Sequence, residues 1–182
     1  MADGRRLTAA ETQLAKKVFR WSLKYGEIRI YNKRYWAQFG KWVMTPNGNI
    51  YAPTDYEVDY SLPTVSYARR SLFIHELVHV WQYQLNVLSI PLSAIGANIV
   101  NLGRYEKAYP YDLDTSKDLL DYTMEQQASI IEDYFRITEG RSPRHLPKTS
   151  GSPRTKAAYE AVLAKFLANP KYAEGYMNRY EE

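Results

Sequence analysis

The sequence predicts an α+β domain: a first helix, a small antiparallel sheet, a central buried helix and further helices. Three observations carry that expectation. Apolar residues recur at helical spacing before Gly26 and again over residues 118–138. Between them, short alternating runs surround an Asn47-Gly48 pair, the turn chemistry of a hairpin. Residues 65–85 are apolar on nearly every side of a helix axis, which marks a buried central element.

Each element has its own justification. Thr8 followed by Glu11 is a capping box, and Leu14, Val18, Trp21 and Leu23 extend the helix until Gly26. "EIRIYN" (27–32) alternates and reads as a strand, and "KWVMTPNGNIYAP" (41–53) reads as two strands of a hairpin. The strand around Asn49 and Ala52 would offer an edge to an extended peptide. The central helix carries Leu72, Phe73, Ile74, Leu77, Val78, Val80 and Trp81. The 118–138 helix carries Leu119, Met124, Ala128, Ile131 and Phe135 on one stripe. "GRSPRHLPKTSGSPR" (140–154) reads as a basic, Pro/Ser-rich linker, and 155–182 as a helical tail broken at Asn169-Pro170. The expected division is therefore a main domain over 1–139, a linker over 140–154 and a tail over 155–182.

Composition narrows the function. The 24 basic and 20 acidic residues are interspersed and leave a net charge of only +4, which argues against nucleic-acid binding. With no cysteine, disulfides and thiolate chemistry are excluded, so a metal here must use histidine and carboxylate ligands. "MADGRRLTAAET" has no apolar core and does not read as a secretory signal. The 85–102 run is interrupted by Asn, Ser, Pro and Gly, so it reads as a packed connection or a flap rather than a membrane insertion.

The chemistry concentrates in "FIHELVHVWQ" (73–82). His75 and His79 stand one helical turn apart on one face, a spacing that fits two corners of a zinc tetrahedron. Glu76 is the only charged residue between 71 and 84. An ionised carboxylate buried there without a partner would cost several kcal/mol. Beside a metal it would instead serve as a general base toward water that the metal activates. Glu125 in "YTMEQQASIIEDYF" (122–135) is the preferred third ligand, with Glu132 as its substitute. His145, in the Pro-rich stretch, reads as a solvated loop residue. Tyr105, Tyr109 and Tyr111 lie between the two ligand-bearing segments, and Tyr111 is the candidate donor to an oxyanion.

Three segments, "LTAAETQLAKKVF…YGEIRIYNKRYW", "VMTPNGNIY" and "LFIHELVHVWQYQ" followed by "MEQQASIIEDYF", resemble the Vgr-related proteins. These are zincin-like metallopeptidase domains associated with bacterial type VI secretion, found also fused to spike proteins and in Rhs-type toxins. The likeness covers roughly residues 7–138; the 85–102 connection and the region after Gly140 depart from it. The resemblance implies a zincin-like fold with Zn2+ on His75, His79 and Glu125, and Glu76 as the base. It further implies a toxic effector with a peptide or protein substrate, a spike protein as carrier and a cognate immunity protein. Such a chain would stay in the bacterial cytoplasm until delivery and act in the target-cell periplasm. Two other functions share these residues: a non-catalytic adaptor or chaperone with a structural zinc, and an amidase acting on cell-wall peptides.

Overall fold

A computed structural model describes residues 4–38, 40–87, 109–145 and 147–176 of the chain. Its architecture is α+β, with a three-stranded sheet and a set of helices. The strands are β1 (Arg5–Arg6), β2 (Arg29–Tyr31) and β3 (Ile50–Tyr51), in the order β1-β2-β3.

The sheet is mixed rather than antiparallel. β1 runs antiparallel to β2 with Arg5 opposite Ile30, whereas β2 and β3 are parallel with Ile30 opposite Ile50. The expected hairpin shrinks to a single bridge, Met44 N to Tyr51 O at 3.0 Å and Tyr51 N to Met44 O at 2.8 Å. Asn47-Gly48 does turn the chain, through positive φ angles of 52° and 71°. Pro46, however, lacks an N–H and opens a 3-10 turn over Pro46–Gly48, so strand pairing cannot run up to the turn. Tyr51 is thus bonded on one side to Met44, and β3 pairs on its other side with β2. It has no free edge to offer a peptide at that position.

α1 (Ala9–Phe19) starts at the expected capping box: Glu11 N donates to Thr8 Oγ1 at 3.0 Å and Thr8 N to Glu11 Oε2 at 2.9 Å. Glu11 is fully buried, and its carboxylate also accepts a two-pronged Arg5 contact at 2.7 Å each and Tyr60 N at 2.8 Å. One acid therefore caps the helix and fastens β1 and the turn at Tyr60 to it. α1 stops at Phe19, where Arg20 takes φ 50°, well short of Gly26. Trp21 consequently lies outside the core, exposed, with the Lys16 ammonium 4.0 Å from its ring centre.

α2 (Tyr67–Gln84) is the buried axis of the molecule and is capped by Ser66. α3 (Met124–Thr138) packs along it and follows a 3-10 turn over Leu119–Asp121 instead of continuing it as one helix. α4 (Lys156–Val162), α5 (Ala164–Ala168) and a final 3-10 turn (Pro170–Ala173) complete the fold. These last elements share the core with α1 and α2. Phe166 meets the edges of Trp81 at 5.5 Å and Phe19 at 6.1 Å, and Trp81 Nε1 donates to Pro170 O at 2.8 Å. Burying a side chain such as Phe166 contributes about 1.5–3 kcal/mol, so residues 155–173 are structural members and not an appendage.

The 140–154 stretch is likewise held in place. Arg136 Nε donates to Ser142 O at 2.9 Å. The buried Asp133 carboxylate accepts Arg144 N at 2.5 Å, His145 N at 3.2 Å and Arg154 Nη2 at 3.1 Å. Of the 85–102 connection, only Leu85, Asn86 and Val87 fall within the described residues, and Tyr105 lies outside them. No described helix is long and apolar enough to cross a membrane.

Candidate metal centre

α2 can be polar inside because its neighbours supply partners. His75, Glu76 and His79 are all buried, on the part of α2 that faces α3 and the Thr45 turn. Glu125 sits in the first turn of α3, where the free N–H groups of a helix start favour a carboxylate. Its Oε2 lies 3.3 Å from Nε2 of His75 and 3.3 Å from Nε2 of His79. Metal–ligand bonds of about 2.0–2.1 Å at tetrahedral angles put neighbouring ligand atoms about 3.3–3.4 Å apart. The two measured separations match that edge, and all three ligand atoms lie within 4.8 Å of one another.

The surrounding groups hold the imidazoles in place. Nδ1 of His79 is 2.8 Å from Gln82 Oε1, which fixes the ring proton on Nδ1 and leaves Nε2 to face Glu125. Gln82 is itself held, donating to Met124 O at 3.0 Å and Gln127 Oε1 at 2.9 Å, while Gln127 donates to Tyr122 O at 2.8 Å. Nδ1 of His75 is a buried nitrogen without a formed hydrogen bond, 3.2 Å from Glu132 Oε2. A ring nitrogen left in that state is unfavourable, and metal binding at Nε2 would place a proton on Nδ1 facing the carboxylate. The donor set and this unpaired nitrogen both fit a divalent ion such as zinc.

The electrostatics point the same way. Burial lowers the His75 pKa, but Glu125 and Glu132 outweigh it and push the ring up to about 10. Burial also works against a charged His79, and Glu125 reverses it to a net rise. Burial raises Glu125, yet His79 and His75 carry it well below the usual carboxylate range. Glu132 is also held low, with His145 and His75 overcoming its burial. Glu76 differs: burial raises its pKa, and His79, His75 and Thr45 only partly offset that.

A cavity of about 550 Å³ opens beside this cluster, with His75, Glu76, Tyr109, Glu132, Arg144 and His145 among its lining. Glu76 Oε2 accepts Thr45 Oγ1 at 2.5 Å, and Oε1 makes no hydrogen bond among the described residues. Tyr111 is elsewhere. Its side chain is fully buried, with its hydroxyl 2.6 Å from both Asp133 Oδ2 and the Tyr159 hydroxyl, so it does not serve the cavity. Tyr109 lines the cavity instead, with its ring 5.7 Å from His75 and stacked on His145 at 5.9 Å. His145 is not a solvated loop residue: Nε2 is 2.8 Å from Glu132 Oε2, and the side chain is 12% exposed. Sequence reasoning missed Thr45, Gln82, Gln127 and His145 in these roles. Only Gln82, three residues after His79 on the same helix, carried a readable local signal.

An α+β domain with two imidazoles and a carboxylate converging beside a polar cleft belongs to the class of domains able to hold a metal ion. No protein-family model matches the chain. The type VI secretion system spike protein VgrG2b of Pseudomonas aeruginosa is 38% identical over 143 residues, which is 72% of this chain. The chain spans only 13% of the length of that spike protein. The solved effector domain of Pseudomonas aeruginosa VgrG2b aligns with a TM-score of 0.66 and 33% identity, covering 88% of this chain and 82% of that domain. The chain therefore belongs to the VgrG2b effector-domain family, a Vgr-related family of type VI secretion.

Proposed function

We propose that this chain is a zinc-dependent metallopeptidase acting as a type VI antibacterial effector. His75, His79 and Glu125 would hold the metal, and Glu76 would be the general base. The observation that carries the reading is the pair of 3.3 Å separations from Glu125 Oε2 to the two Nε2 atoms, beside a cleft that Glu76 also lines. When bound, zinc supplies Lewis-acid chemistry, polarising a carbonyl and acidifying water.

The chain's own residues do the rest. Thr45 holds one oxygen of Glu76 and leaves the other available to take a proton from water. Burial raises the affinity of Glu76 for that proton, which it then returns to the departing amine. The C–N bond breaks, the new C–O bond comes from water, and Glu76 ends as it began. Tyr109 and His145 line the space where a peptide carbonyl would sit and replace Tyr111 as candidate oxyanion donors.

The zincin-like assignment of the fold belongs to this same reading. A spike protein is the proposed carrier, by analogy with the spike relative, and a cognate immunity protein would protect the producing cell. The site of action would be the target-cell periplasm. An adaptor with a structural zinc has no use for a buried carboxylate at an open cleft, so the position of Glu76 favours hydrolysis.

The test is metal analysis of the purified chain together with expression of wild type and Glu76→Ala in the cytoplasm and, separately, in the periplasm. About one zinc per chain is expected, with periplasmic toxicity that Glu76→Ala abolishes while keeping its zinc. A metal-free wild type, or a fully toxic Glu76→Ala, would overturn the reading. Cell-wall analysis and proteomics from the same cells tell an amidase from a protein-directed peptidase.

A further inference from the structure

Glu132 is buried, acidic and unused by the proposed mechanism, yet it is among the most tightly held carboxylates in the molecule. Oε1 accepts Ser71 Oγ at 2.8 Å and the Arg144 guanidinium approaches it at 3.4 Å; Oε2 stands 2.8 Å from His145 Nε2. Ser71 is in turn contacted by Arg136 at 3.2 Å, so Glu132 is fixed from α2, from its own helix and from the clamped 140–154 segment. What remains is the side of Oε2 that faces the unpaired Nδ1 of His75 at 3.2 Å.

We propose that Glu132 is a positioning residue for His75: held by Ser71 and His145, it fixes the ring proton on Nδ1 and thereby aims Nε2 at the point shared with His79 and Glu125. The inference rests on the metallopeptidase reading and deepens it. An imidazole that binds metal through one nitrogen donates its other N–H to a carboxylate or carbonyl, which sets its orientation and strengthens it as a ligand. His79 has such a partner in Gln82, a neutral amide. His75 has a carboxylate, which makes it the more strongly donating ligand of the two.

The geometry admits one competitor. His75 Nδ1, Glu132 and His145 also lie close enough together to surround a cation of their own. Both arrangements use His75, through opposite nitrogens. A cation on Nδ1 would need the ring to shed both protons if Nε2 were also metal-bound, which disfavours simultaneous occupation.

The test measures zinc affinity of the full chain by competition with a chromophoric chelator, alongside nitrogen-15 NMR of labelled histidine. Glu132→Gln keeps the size and an acceptor but loses the charge; a 10–100-fold weaker zinc affinity is expected, with a faster-exchanging His75 Nδ1–H. Glu132→Ala should be weaker still, and Ser71→Ala, which leaves the carboxylate in place, should shift affinity the same way by less. If Glu132→Gln does not fold, the Ser71→Ala affinity and its NMR spectrum decide. Wild type binding one zinc while the variants bind it within twofold overturns this proposal alone. Two zinc ions per wild-type chain, the second lost in His145→Ala, would make Glu132 a ligand and also overturn it. Wild type that binds no zinc overturns the metallopeptidase reading itself.

Discussion

Glu76→Gln should lower activity and raise stability at once. The carboxylate is 5% exposed, one oxygen has a single donor in Thr45, and burial pushes its pKa upward despite the two nearby imidazoles. A carboxyl whose folded pKa lies above its unfolded value, about 4.5 for glutamate, destabilises the folded state once pH exceeds that unfolded value. The penalty is full above the raised pKa and disappears below about 4.5. Leaving a buried polar group short of partners costs about 1–3 kcal/mol. In a chain of this size that corresponds to about 2–12 °C in Tm, at about 2–4 °C per kcal/mol. Glutamine keeps the shape and sheds the charge, so the metal-free variant at pH 7 should melt higher by that range. The gain should shrink toward zero as pH falls below about 4.5. Hydrolysis by the zinc-loaded variant should fall about 10²–10⁴-fold, the usual contribution of a general base. The assay is a pair of thermal melts in chelator across pH, with peptide turnover measured on the loaded protein. A variant that melts lower than wild type at pH 7 would refute the electrostatic argument, and one with undiminished turnover would refute the role of the base.

Glu125→Ala should weaken zinc retention more than Glu132→Ala, measured against a chelator; the reverse order would reassign the third ligand. Glu11→Gln should cost about 1–3 kcal/mol in urea unfolding, because it removes the charge from the half-buried Arg5 guanidinium's partner and turns an amide N–H toward donors that the buried carboxylate now accepts. A loss below about 1 kcal/mol would show that the network is dispensable. Tyr111→Phe removes a hydroxyl shared with Asp133 and Tyr159, so it should cost about 1–3 kcal/mol while leaving zinc affinity and turnover per folded molecule unchanged. A selective loss of turnover would return Tyr111 to the chemistry.

What could be read in the sequence was what local spacing determines. The four-residue separation of His75 and His79 forces them onto one face of α2, and the Thr8/Glu11 capping box is a property of four consecutive residues. Glu125 was preferred over Glu132 from its place beside the apolar residues of its helix and from the family resemblance, and its Oε2 lies 3.3 Å from both imidazoles. The rest depends on contacts distant in sequence. Glu76 finds Thr45 from 31 residues away, and β2 takes β3 as a parallel partner from about 20 residues away. His145 was hidden because a run of Pro, Ser and Arg has the composition of a linker. Asp133, a buried acid on a neighbouring helix, turns that run into ordered structure by accepting its backbone N–H groups. Trp21 continued a helical rhythm past the point where Arg20 had already ended the helix.

The two ends of the described chain bear on where the domain can be joined to another. Arg5 is anchored to Glu11 near one end, and near the other Pro170 holds the indole of Trp81, six residues beyond His75 on α2. The unit that carries the chemistry is therefore the whole span from 5 to 173, not the two helices that display the ligand atoms. Joining this domain to another chain would preserve the site only with junctions outside that span. Inside it, a cut would open the core and unseat His145 together. The supports of the site are thus carried within one self-fastened unit.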